Sequence, residues 1–415
     1  MKNWMWLGIA LLAVACGRPK STYLMPPPQQ IEEVQQDSKG LDVEYNPMVD
    51  ILFVLDNSKS MEDELSLLRK NMHDFVKSFG DNSIIDYHIG VTMVHDSTRY
   101  NNEVVLKINP DTGAVQYREK GELLPIGDKR FIDRENLGNL ESLFDIQTPY
   151  VPCNVWRNTS GKQFDSCKQP KPEGNLTLAK AAVGPEVEES FSPVIAALTD
   201  TKPSNTGFHR VGSHLVVIFV TDAEDSSPGV EAQSLFDQLY QIQRKDISML
   251  SVYGVLCTNG DADCLTRTHS GGTIESDSRK IKEFIQLVSR NKQLAVQAGV
   301  LEPNPNRVSP ILNLRSQSWG QELSALGLEI RKNTIERKIQ LAARPEYDVK
   351  TGQPLIVVKY GSQKIPYDSK IGWTFDATTN MITVHEGVVI ERETGSRILV
   401  RYTKVTDPRL SKPVN

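Results

Sequence analysis

The sequence predicts an α/β fold: a mainly parallel sheet with helices on both faces, a long insertion and a small C-terminal antiparallel β-domain. Three observations carry this expectation. Apolar runs such as DILFVL at 50–55 and HLVVIFV at 214–220 lack polar alternation, as strands buried on both faces do. These runs alternate with stretches of helical period, the pattern of βαβ units. Beyond residue 341 the helical period stops, and short β-rich runs (LIVVKY, GWTFDATTNMITV, ILVRYTK) are divided by GQ, GSQ and ETGS turns.

The chain has 415 residues, 39% hydrophobic and 24% charged, with a formal net charge of -5. That length calls for two or three domains. No basic run or face stands out, which argues against nucleic acid as a partner. Residues 1–15 read as a signal peptide: Lys2 precedes WMWLGIALLAVA, too short for a permanent bilayer span. Cys16 follows in the context LAVAC. This resembles a bacterial lipoprotein lipobox, in which the signal is cut before a cysteine that becomes lipid-modified, and Gly17 after it points to the outer membrane. The other reading is a plain signal peptide with a cysteine at the cut by chance. Residues 16–46, with MPPPQQ and few core-forming residues, are expected to be the lipid anchor and a flexible tether.

Each element then follows in order. The strand at about 49–55 leads into a helix over 61–79, where Met61, Leu65, Leu68, Met72, Phe75, Val76 and Phe79 recur every three or four positions. A second strand fits 84–94 and ends at His95-Asp96-Ser97, and Thr92 on it reads as structural. Residues 97–182 break the rhythm with a hairpin around NPDTG and a long polar stretch, an insertion expected to be stapled by a disulfide. Regularity resumes with a helix near 186–198, the strand 214–221, a helix 230–244, a strand 247–256 and a helix 276–290. A short strand at 310–314 and a helix 318–333, with a Ser318/Gln321 capping box, complete the α/β domain over 47–341. The β-domain takes 342–415. Trp319, Trp373 and Phe375 read as packing residues.

Besides Cys16, the cysteines are Cys153, Cys167, Cys257 and Cys264. An exported chain meets an oxidising compartment, so two disulfides are the default. Pairing 153 with 167 and 257 with 264 closes the shortest loops, but sequence does not choose among the three pairings. A zinc site is the rival, and the chain lacks the CxxC spacing it would want.

Ligands of open α/β sheets bind beyond the carboxyl ends of the strands. Two such ends here carry oxygen donors: Asp56-x-Ser58-x-Ser60 and Asp222. Hydroxyls plus carboxylates make a hard, oxygen-only site suited to Mg²⁺ first, with Mn²⁺ or Ca²⁺ as alternatives. DILFVLDNSKSM resembles the DxSxS motif of a von Willebrand factor A (vWA) domain, and VVIFVTDAED resembles the strand supplying its later aspartate. The resemblance, over residues 49 to about 341, implies a Rossmann-like domain with a metal-ion-dependent adhesion site. It implies that Ser58 and Ser60 bind the metal directly and that Asp56 and Asp222 act mostly through water. A partner's carboxylate would complete the shell. The family threonine is missing from the loop AAVGPEVEES. Glu188 is the expected replacement, with Glu186, Thr177 and Ser190 as other oxygen candidates. Glu224 and Asp225 read as helix-capping residues of a solvated, acid-rich loop, with extra metal ligands as the other reading.

Other chemistry is weaker. No HExxH, G-x-S-x-G or P-loop occurs, SGGT at 270–273 reads as a helix-start turn, and His95 lacks a nucleophile to serve. The expectation is a binding protein and not an enzyme: a lipid-anchored envelope protein that holds an acidic group on a protein or glycan through a divalent metal. The alternative is an envelope scaffold with a vestigial site.

Overall fold

A computed structural model describes residues 33–35, 40–80, 84–97, 103–108, 115–144, 153–160, 162–165, 176–182, 187–199, 202–258, 278–298, 301, 308–316, 318–336, 338–393 and 395–406. The signal peptide, Cys16, Cys167, Cys264, Glu186 and residues 270–273 lie outside the described residues. The first half contains strands β1 (Glu33–Gln35), β2 (Gly40–Tyr45) and β3 (Met48–Leu55), helix α1 (Glu62–Gly80), and β4 (Asp86–Met93). Then come β5 (Glu103–Ile108), β6 (Val115–Glu119), α2 (Leu140–Leu143), β7 (Cys153–Asn158), β8 (Gln163–Asp165) and β9 (Leu176–Ala182). The second half holds α3 (Phe191–Thr199), β10 (His214–Val220), α4 (Ala232–Ile242), β11 (Leu250–Leu256), α5 (Arg279–Gln297), β12 (Ile311–Asn313) and α6 (Trp319–Ile335). The tail adds β13 (Lys338–Gln340), β14 (Ile356–Tyr360), β15 (Gln363–Ile365), β16 (Trp373–Asp376), β17 (Met381–Val384) and β18 (Ile398–Thr403).

Five strands form a parallel sheet in the order β12-β11-β10-β3-β4. The apolar runs of β3 and β10 are buried on both faces, as their lack of alternation requires. Ile51, Phe53 and Leu55 join one core with Leu68, Met72 and Phe75 of α1 and Leu323, Leu326 and Ile330 of α6. Leu52 and Val54 join the opposite core with Val194 of α3, Leu235 of α4 and Phe284 of α5. Helices therefore cover both faces. Phe53 makes edge contacts with Phe75 and Phe144, ring centroids 5.7 and 5.1 Å apart; burying such a side chain contributes about 1.5–3 kcal/mol.

The insertion is not wholly peripheral. Its hairpin forms as expected from β5 and β6, and β8-β7-β9 make a separate antiparallel sheet. The segment between them closes the edge of the main sheet, with Ile132 bridged to Ile89 and the Leu124 amide donating to Val91. An edge strand covered in this way offers no free ladder. Gly90 leaves room for it: a Cβ there would meet Leu123 of this segment at 3.1 Å and Phe208, which precedes β10, at 2.7 Å.

The tether expectation for 16–46 fails where β1 and β2 form. The antiparallel sheet runs β1-β2-β18-β14-β15, so the residues before the α/β domain complete the C-terminal β-unit. Val43 and Tyr45 are buried in it at 1% and 5% exposure, and Arg401 makes a bidentate pair with Asp42 at 2.7 Å. The cause is visible in GLDVEY, whose apolar residues alternate at 41, 43 and 45. A second sheet, β13-β17-β16, lies in the same unit. Trp373 is buried there and donates its indole N–H to Ile365. This β-unit shares the core of the α1/α6 side, and the Tyr45 hydroxyl donates to the Thr334 carbonyl of α6.

Smaller departures have local causes. α3 starts at Phe191, not 186, because Glu189 before it is drawn into a bridge with His95. The Ser318 side chain does not cap α6 through a backbone amide; its hydroxyl donates to Glu322 at 2.7 Å. Cys257 is buried after β11 and disulfide-bonded; its expected partner Cys264 lies outside the described residues. No described helix is long and apolar enough to cross a membrane.

Candidate metal site

The chain leaves β3 for β4 on one side and returns through β10 on the other, so β3 and β10 meet at the point where strand order reverses. Crevices beyond the carboxyl ends of strands form at such points. β3 delivers Asp56, whose amide donates to the Val220 carbonyl at 2.9 Å, and β10 delivers Thr221 and Asp222.

Asp56 is fully buried. Its Oδ1 accepts from the Ser58 amide at 2.8 Å and its Oδ2 from the Thr221 hydroxyl at 2.7 Å. The first bond is an Asx turn, the local motif that Asp offers a backbone leaving a strand. It turns the next two alternate residues to one side. The Ser58 and Ser60 hydroxyls consequently lie 2.9 Å apart, and the Ser60 hydroxyl donates to Asp222 Oδ1 at 3.2 Å. Three of the sequence-predicted donors thus converge from two strand ends, with Asp56 behind them. Thr221 was not legible as a participant, although a hydroxyl next to Asp222 is the signal that points to it.

Glu188 arrives from the loop before α3. Its carbonyl accepts from the Ser226 amide at 2.9 Å. On its other side Glu189 and His95 exchange two backbone hydrogen bonds of 2.8 and 3.0 Å, and the Val187 amide donates to Asp96 at 3.3 Å. Burial, followed by the negative charges of Asp56, Asp222 and Asp96, pushes the Glu188 carboxyl well above the ordinary carboxylate range. The Glu188 side chain is half-buried. Asp96, fully buried at the end of a third strand, is a member the sequence reading left with His95 as a polar cluster.

Neighbouring acids have other work. Burial raises the Glu189 carboxyl, but hydrogen bonds from the Ser97 amide (2.8 Å) and the Ser192 hydroxyl (2.7 Å) outweigh it and hold the group below its usual value. Asp225 Oδ1 accepts from the Ser190 and Phe191 amides at 2.8 and 2.9 Å, which caps α3, and its Oδ2 lies 2.9 Å from Lys280 Nζ. Glu224 accepts from the Arg279 and Lys280 amides at 2.8 Å, which caps α5. Both act as the capping residues expected. Ser190 is buried through this capping, and Thr177 lies in β9, opposite Arg157 of β7.

Among the described residues no group of three or more His, Cys, Asp or Glu side chains converges closely enough to hold a metal. A cation at this place must draw on the serine hydroxyls. The donor set fits a hard divalent ion on that footing: two neutral hydroxyls with carboxylates close behind.

No family profile and no curated protein matches the chain. Among solved structures, proximal thread matrix protein 1 from the mussel byssus is similar over 73% of this chain and 52% of its own, at 10% identity and a TM-score of 0.34. A von Willebrand factor type A protein from Catenulispora acidiphila is similar over 91% of this chain and 61% of its own, at 9% identity and a TM-score of 0.32. The pilus adhesin SpaC from Lactobacillus rhamnosus GG, in an open conformation, is similar over 90% and 42%, at 11% identity and a TM-score of 0.31. The chain spans between 42% and 61% of the lengths of these proteins. Likeness of this degree decides neither fold nor function. The description of the fold rests on the sheet order and burial given above.

Proposed function

We propose that this chain is a cell-envelope binding protein that captures a protein or glycan ligand through a divalent cation at a site of the vWA type. Ser58 and Ser60 would hold the ion directly, with Asp56, Asp222 and Glu188 around it. Mg²⁺ is the first candidate, with Mn²⁺ and Ca²⁺ as alternatives. The ion supplies Lewis acidity to an oxygen of the ligand. The residues of this chain keep the hydroxyl lone pairs converged and the carboxylates fixed. The reading is one of binding: these groups would hold the ion and leave a coordination position for the ligand.

The observation that carries this is the meeting of the Ser58, Ser60 and Asp222 oxygens from two strand ends, at 2.9 and 3.2 Å. Display fits as well. β2 enters at the start of β3 and the site lies at its other end, eight residues away, or about 25 Å at the rise of a strand. A lipid anchor on Cys16 would tie the chain to a membrane from its N-terminal side.

Calorimetric titration of the chain with Mg²⁺, Mn²⁺ and Ca²⁺ tests the proposal. Uptake of one ion is expected, at least tenfold weaker in the Ser58→Ala/Ser60→Ala variant with its fold intact. Equal uptake by wild type and variant, or none at millimolar ion, would leave an anchored scaffold as the better description.

A further inference from the structure

The C-terminal β-unit carries a face that the metal site does not explain. Side chains of a strand alternate between the two faces of its sheet. Ile356, Val358 and Tyr360 of β14 and Ile398, Val400 and Tyr402 of β18 turn inward and are buried. Lys359 of β14 therefore turns outward, directly opposite Lys364 of β15, and both are exposed. Like charges opposed in this way are destabilising. A lysine on an edge strand guards against stray pairing, which accounts for Lys364. It does not account for Lys359, because β14 lies between β18 and β15.

The loop after β15 has the same mixed character. Tyr367 and Ile371 are 44% and 56% exposed, and Lys370 between them is exposed. The loop is held from within. Asp368 accepts from the Lys370 and Ile371 amides at 2.7 and 3.0 Å, and the Tyr367 ring meets the buried Trp373 edge-on at 4.7 Å. The segment after β17 packs beside it: the His385 amide donates to the Gly372 carbonyl at 2.8 Å, a Cβ on Gly387 would come within 3.9 Å of the Ile371 Cα, and the Gln363 side chain pairs with the Glu391 backbone. Val389 on this segment is 90% exposed.

The charges here favour an anionic partner. Asp42 is paired with Arg401, Glu44 with Arg397, and Asp368 with its own loop, while Glu391 borders the face. Among the described residues Lys359, Lys364 and Lys370 form no ion pair. The whole chain has a net charge of -5, yet residues 338–406 carry ten lysines and arginines against seven acids. Lysines interleaved with an exposed tyrosine and branched apolar side chains suit a bilayer interface. The ammonium groups reach lipid phosphates, their stems lie along apolar surface, and the ring and branched side chains enter the boundary between headgroup and acyl chain.

We infer that the outer face of β14 and β15, with the Tyr367–Ile371 loop and Val389, is a contact surface for a bilayer of anionic phospholipid. It goes beyond the proposed metal site and depends on neither the cation nor an acyl chain.

Co-sedimentation with vesicles tests the inference. The protein is the chain from Gly17 onward, which keeps every described strand and helix and has no acyl group. The probes are vesicles of phosphatidylcholine alone and of equal parts phosphatidylcholine and phosphatidylglycerol. Binding at least tenfold tighter to the anionic vesicles is expected, weakening as salt is raised. It should fall at least tenfold in Lys359→Gln/Lys364→Gln/Lys370→Gln and at least threefold in Ile371→Ser/Val389→Ser, with circular dichroism confirming the fold of each. No binding, equal binding to both vesicles, or unchanged binding in both folded variants overturns the inference. Retention on a soluble anionic polysaccharide without vesicle binding assigns the face to a glycan and also overturns it. Vesicle binding should persist in EDTA, so the metal reading can fail while this one stands; loss of binding in EDTA contradicts the inference.

Discussion

Asp56 shows how much a single side chain settles. It closes an Asx turn with the Ser58 amide and ties β3 to Thr221 just after β10, so one carboxylate both ends the strand and aims the serines. Glu188 has the opposite character, since its environment disfavours the charge it carries in water. Because its native carboxyl sits well above the ordinary value, the native chain keeps a proton there that the unfolded chain has already lost. Folding stability contributed by Glu188 therefore declines as pH rises from the ordinary carboxylate value to the raised one. A cation must displace that proton, so affinity should climb across the same window. Titrations at stepped pH should show this rise in the wild type and a flat profile in Glu188→Gln. An equal slope in both would remove Glu188 from the site. The DxSxS residues were legible because they interrupt an apolar strand. Asp96 and Thr221 were not, because their roles depend on strands brought alongside by the sheet.

At the scale of elements, the two ends of β3 are held by different chemistry. Opposite the site, Asp50 is fully buried. Burial raises its carboxyl, but the side chain of His209, the Arg210 charge and the Ser213 hydroxyl outweigh that and hold it below its usual value. Arg210 reaches Asp50 Oδ1 through two nitrogens at 2.9 and 2.6 Å and Asp86 Oδ2 at 2.8 Å. This pins the connection into β10 to the start of β3 and β4. The depressed pKa means the contribution is complete above the ordinary Asp value and is lost as pH falls through the lower native one. Asp50→Asn should cost about 3–5 kcal/mol at neutral pH in urea unfolding, since it leaves Arg210 without its buried partner. A loss within experimental error would show that the network is incidental. β3 and β10 were readable from sequence because burial on both faces writes itself as an unbroken apolar run. The start of α3 was not, since the bridge from Glu189 to His95 joins residues far apart in the chain.

The whole molecule departs most from its sequence reading at its ends. β2 pairs with β18 across most of the chain, with Asp42 and Arg401 separated by 359 positions. No local signal encodes such a partner; GLDVEY shows only a short alternation beside tether-like composition. Arg401 is half-exposed, so its pair with Asp42 contributes at most about 1 kcal/mol and mainly sets register. The larger share comes from Val43 and Tyr45, at about 1.5–3 kcal/mol per buried side chain. A chain starting at residue 47 should lose several degrees of Tm and expose apolar surface to a dye such as ANS. An unchanged melt would mean that β18 needs no partner. The same arrangement places the N-terminal entry and the serine cluster at opposite ends of β3.

The account depends most on a cation at the tip of β3. A crystal of this protein soaked in Mn²⁺, with anomalous diffraction data collected, tests it directly. The expected result is a peak within about 2.3 Å of the Ser58 and Ser60 hydroxyls. No peak there at millimolar Mn²⁺, or a peak only elsewhere on the chain, would contradict it.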